Sequence, residues 1–240
     1  MTPETYREYF QKLREFTEFL RIFINEHRKK ITPLPPELEA ERQTHLKLFS
    51  NPKAIAICSP CSQCCYQGGS PLTAVHLIRL IMENPNFTLP MPDFEFLSQN
   101  TCRSVEPGTG TNYASEGYKC VFLGKAGCIL KESRPRICYR FTCQTLKKRL
   151  DLETPKNTLP NEWQAQDDWV KKMTSDLNTV FQTTKMPENE FREILRDCLS
   201  IEGGHAWIAG PLGFDRAFRH EKDLCPDCQR RKVNTAFHND

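Results

Sequence analysis

Twelve cysteines are the residues of this chain best suited to chemistry. Four of them, Cys58, Cys61, Cys64 and Cys65, stand within "CSPCSQCC" as a C-x2-C-x2-C-C run. Four more, Cys120, Cys128, Cys138 and Cys143, lie in "CVFLGKAGCILKESRPRICYRFTC". Two residues between cysteines let the chain turn so that both sulfurs face one point. Four thiolates complete the shell of a tetrahedral zinc ion or of one iron–sulfur cluster. Eight therefore suit two centres or one polynuclear centre. Neighbouring side chains in extended backbone point to opposite faces, so Cys64 and Cys65 are expected to serve different centres. The other reading of Cys65 is a packed small hydrophobe.

Around the second group, Arg134, Arg136 and Arg140 bring positive charge close to candidate thiolates. Arg134 is the candidate for offsetting that charge from beyond the ligands. A separate zinc site is a further expectation, with Cys225 and Cys228 of "LCPDCQRRK" joined by Cys198, His205 and His220. The alternatives there are a dithiol redox pair, or ligands lent to the main centre. Cys102 has no partner at a diagnostic spacing and reads as a packed or free thiol.

The motifs C-x2-C-x2-C-C, C-x-F-L-x4-C and R-P-x-x-C-x-x-F-x-C resemble the CxxCxxCC cysteine-cluster family of YkgJ-like bacterial proteins. Those proteins carry a zinc- or iron-chelating domain. The resemblance covers about Ala54 to Leu150 and reaches the eight cysteines together with Arg134 and Pro135. It departs at Tyr139 and at Leu130, where the family often has Arg and Tyr. The resemblance implies a metal-binding cysteine protein, most simply an iron–sulfur centre held by eight cysteines with a redox or protein-modification role. Flagellin lysine N-methylase carries a similar cysteine domain, which raises protein methylation. The alternative is a zinc-stapled module for protein–protein interaction.

Several classes fit less well. Position 68 is Gly, so the C-x3-C-x2-C of radical-SAM enzymes is absent, and "GGSPLT" lacks the ending of a phosphate loop. No paired carboxylates or Cys/His pair can be placed at one site, so enzyme activity is left open. Lys plus Arg is 33 against 30 for Asp plus Glu. That balance argues against nucleic acid, although "LKKRL" and "QRRK" are basic runs. No apolar run suits a membrane span. The N-terminus lacks the apolar core of an export signal. A cytoplasmic protein with reduced thiols is expected, with a protein partner or protein substrate.

The elements that position these residues read as mainly α, with helices packed around an irregular, loop-rich cysteine and metal core. Three segments are expected: an N-terminal helical segment 1–50, a cysteine-cluster domain 51–150, and a C-terminal helical segment 151–240 with the C-x2-C tail. Thr2 and Pro3 suit a helix start. Tyr6, Phe10, Leu13, Phe16, Leu20 and Phe23 then recur on one face of a helix over residues 3–30. A second helix is expected from Pro36 to Phe49. A third is expected to be capped at Ser70–Pro71, with His76 at its boundary and Leu72, Val75, Leu77, Ile78 and Ile81 inside. Residues 84–117 read as loop. Two more helices are expected over 161–181, with Trp163, Trp169 and Val170 facing inward, and over 187–199.

Overall fold

The computed structural model describes residues 3–49, 51–54, 56, 72–95, 122–125, 127–135, 138, 150, 159–184, 190–200, 208 and 210–214. Among them the chain is mainly α-helical. The helices are α1 (Pro3–His27), α2 (Pro36–Phe49), α3 (Ala74–Glu83), α4 (Leu159–Thr183) and α5 (Glu190–Ser200). Two short 3-10 turns, Arg28–Lys30 and Lys131–Ser133, and a minimal antiparallel pair, β1 (Leu123–Gly124) and β2 (Gly127–Cys128), complete the set.

α1 is the central helix. Phe10, Leu13, Phe16, Leu20 and Ile24 are fully buried, and Tyr6, Tyr9 and Phe23 nearly so. A stripe this wide needs more than one neighbour. α1 packs most extensively on α3. At its C-terminal half Phe23 stacks on Phe181 of α4 at 4.9 Å, and Phe16 meets Phe191 of α5 at 5.9 Å. At its N-terminal half Phe10 meets Phe94 and Phe122 edge-on, and Tyr9 meets Phe214. Edge-on and offset pairs at these separations are the favoured aromatic geometries.

α3 begins at Ala74, three residues later than the Ser70–Pro71 start expected from the sequence. Thr73 has extended backbone and is the cap. Its hydroxyl accepts the His76 backbone N–H at 3.3 Å, and the His76 ring reaches back to the Thr73 backbone N–H. This capping box satisfies two helix-end donors, which gives His76 a structural task. At the other end the Arg28 guanidinium donates to the Met82 carbonyl. Arg192 likewise donates to the Phe181 carbonyl of α4. Cations at helix C-termini complement both the orphan carbonyls and the helix dipole.

α4 buries Trp169, Val170, Met173, Leu177, Val180 and Phe181 as the periodicity predicts; the side chain of Trp163 lies outside the described residues. Asp176 of α4 accepts the Thr32 backbone N–H at 2.7 Å, and Trp169 Nε1 donates to the Thr32 carbonyl. These bonds fix the linker between α1 and α2.

In place of the expected cysteine and metal core, the described residues form an apolar one. The buried cluster draws Phe, Leu, Ile, Val and Trp from residues 9–38, 72–130 and 169–212. Cys198 is fully enclosed in it, and Cys128 packs against it.

Candidate functional site

The cysteines were the first candidates. Cys58, Cys61, Cys64, Cys65, Cys120 and Cys143 lie outside the described residues, as do Cys102, Cys225, Cys228, His205 and His220. Cys128 pairs with Leu123 across the β1–β2 ladder and is a half-buried free thiol. Cys138 closes a turn in which its N–H donates to the Pro135 carbonyl at 2.8 Å. Arg134 is half-buried and extended, the conformation that a following proline enforces.

Cys198 sits in the core. Burial, with Asp197 adding to it, pushes its thiol up to about 12. It packs as a small apolar side chain whose thiolate form burial disfavours.

Among the described residues no three His, Cys, Asp or Glu side chains converge where a metal ion could sit. This overturns the expected function. Neither the eight-cysteine iron–sulfur centre nor the zinc-stapled alternative is carried by the structure, and no iron–sulfur or zinc cofactor is assigned.

A second cluster joins α2 to α3. Arg79 Nε donates to Glu83 at 2.9 Å, and Arg79 Nη2 donates to the Leu38 carbonyl at 3.1 Å. Arg42 Nη1 lies 3.2 Å from Glu83 and 3.6 Å from Glu39. Burial raises the Glu83 carboxyl above its ordinary value against the pull of Arg79 and Arg42, and Glu39 adds to the rise. Both oxygens of Glu83 face guanidinium groups, so this carboxyl pins two helices together and is committed to that task.

The third candidate emerges from α1. Arginine recurs every seventh residue, at Arg7, Arg14, Arg21 and Arg28. Seven residues is close to two helical turns, so the four share one face at steps of about 10 Å. A strap of irregular backbone, residues 84–93, leaves α3 and runs along that face in the direction opposite to α1. Arg28 holds the Met82 carbonyl, Asn25 donates to the Pro85 carbonyl at 2.9 Å, Arg14 lies 3.5 Å from the Met91 sulfur, and Arg7 lies over the Phe94 ring at 5.6 Å. Met91 and Phe94 thus meet Arg14 and Arg7, two turns apart on α1, in reverse order along the chain.

No family model, curated protein or solved structure matches this chain. The strap must be read from its own chemistry. Phe87 and Leu89 are buried beneath it, while Met91 is 52% exposed, one of two large exposed apolar side chains among the described residues. Asp93 pairs with Lys125 of the β1–β2 turn at 3.2 Å and puts a charged rim beside it. The sequence signal for this surface was the seven-residue arginine spacing. The aromatic stripe beside it on the same helix outweighed it. Among the described residues no helix is long and apolar enough to cross a membrane.

Proposed function

We propose that this chain is a helical protein-binding module that engages another polypeptide along the strap face of α1. The observation that supports this is the exposed Met91, set beside Arg14 and followed by Phe94 under Arg7. Methionine, aromatic residues and arginine are enriched at the centres of protein interfaces, and a polar rim surrounds them. Here Asp93 and Lys125 supply part of that rim. The near balance of basic and acidic residues favours a protein partner over nucleic acid. A reducing, cytosolic setting suits the free thiols of Cys128 and Cys198. The resemblance to the cysteine-cluster family rests on its motifs alone.

A photo-crosslinking amino acid in place of Met91 tests this reading. In extract from the native cell it is expected to trap a discrete protein, and excess unlabelled wild type should suppress the adduct while Met91→Asp should not. The same group in place of Asp167, exposed on α4, is the control. Equal labelling from the two positions would end the proposal.

A further inference from the structure

Which polypeptide the strap face takes follows from how its arginines are used, and this inference rests on the protein-binding reading above. The four arginines of the α1 row do different work. Arg28 is spent on the Met82 carbonyl, and Arg21 is bound by Glu18 one turn away. Arg7 and Arg14 are both exposed and make no ion pair among the described residues. Each instead lies on an apolar group, Arg14 on Met91 of the strap and Arg7 on Phe94 just beyond it. A thioether is a weak acceptor and an aromatic face satisfies no N–H fork, so both guanidiniums keep donors for a ligand.

We propose that Arg7 and Arg14 recognise an acidic segment of a partner protein, with two carboxylates about 10 Å apart and an apolar side chain between them that packs on Met91. That separation matches Asp or Glu seven apart on a helix, with the apolar residue three or four positions after the first on the same face. Bidentate guanidinium–carboxylate pairs supply both strength and direction. A nucleic acid fits less well. Glu4, Glu8 and Glu15 are exposed about a quarter turn round α1 from the arginine row, and a continuous phosphate backbone would run beside them. A short peptide presenting two discrete carboxylates avoids that row.

The test uses the full chain against a displayed library of random twelve-residue peptides. Selected peptides are expected to carry two acidic residues seven apart, with Leu, Met or Phe three or four positions after the first. Their binding should weaken about tenfold for each of Arg7→Gln and Arg14→Gln, the scale of one charged hydrogen-bonding pair, with circular dichroism unchanged. Peptides without acidic enrichment, or indifferent to both substitutions, overturn the inference. If such peptides are nevertheless lost with Met91→Asp, the protein-binding reading stands and only the acidic partner falls. No selected peptide at all removes both. A twelve-nucleotide single-stranded RNA that binds more tightly than the best peptide, and is lost in Arg7→Gln/Arg14→Gln, makes the ligand a nucleic acid and overturns the inference. Sedimentation should show a monomer; a dimer abolished by the same pair would make the occupant a second copy of this chain and overturn it too.

Discussion

Cys198 shows how a cysteine can look chemical in sequence and be inert in place. It lies on α5 between Leu195 and Leu199, fully buried, with its thiol pushed up to about 12. A thiol-reactive dye is therefore expected to label it only after unfolding; rapid labelling of the native chain at this position would contradict the packing. Cys198→Ser places a hydroxyl in that apolar setting and is expected to lower stability by roughly 1–3 kcal/mol in urea titration. Glu83 carries a pH signature of its own. Its folded-state carboxyl is raised by burial above the ordinary value. A raised group contributes stability that is fully present below its unfolded value and is lost as pH rises through its folded value. Wild type should thus lose ground against Glu83→Gln as the pH climbs out of the acid carboxylate range. Urea midpoints of both proteins in acid and at neutral pH measure this, and a constant gap would refute it.

Among the elements, α1 bears most of the packing. Phe16 is fully buried between α5 and the aromatic row of α1, so Phe16→Ala is expected to cost about 3–5 kcal/mol, read as a fall in the unfolding midpoint. α3 depends on its cap. Thr73→Ala removes the hydroxyl that accepts from His76 and should cost about 1 kcal/mol. A strong period made α1 legible in the sequence, because six apolar residues on one face leave little choice of where they go. The start of α3 was not legible. Ser70–Pro71 and Thr73 both offer cap chemistry, and only the His76 ring folding back on Thr73 decides between them. The strap was read as loop, which describes its backbone but not its attachment. The pairing of Asn25 with Pro85 spans sixty positions and leaves no local trace in either stretch.

At the scale of the molecule, the cysteine spacing was the loudest signal in the chain, and the described core does not depend on it. Helices from the start, middle and end of the sequence meet through apolar side chains. A strong chelator is accordingly expected to leave the helical circular dichroism and the melting temperature unchanged, and a large drop in either would restore a metal to the fold. Spacing reports what a set of thiols is able to do; whether three ligands meet depends on contacts among distant segments. The strap carries a different lesson. Asn25 and Arg28 both offer hydrogens and take hold of carbonyl oxygens, at Pro85 and Met82. Every residue type presents that oxygen, proline included, whereas proline has no hydrogen to give. Three prolines, Pro85, Pro90 and Pro92, can therefore sit in one short strap without breaking these two holds. The exposed side chains of the strap are consequently free to change while its path along α1 is kept, because these two holds grip the backbone alone.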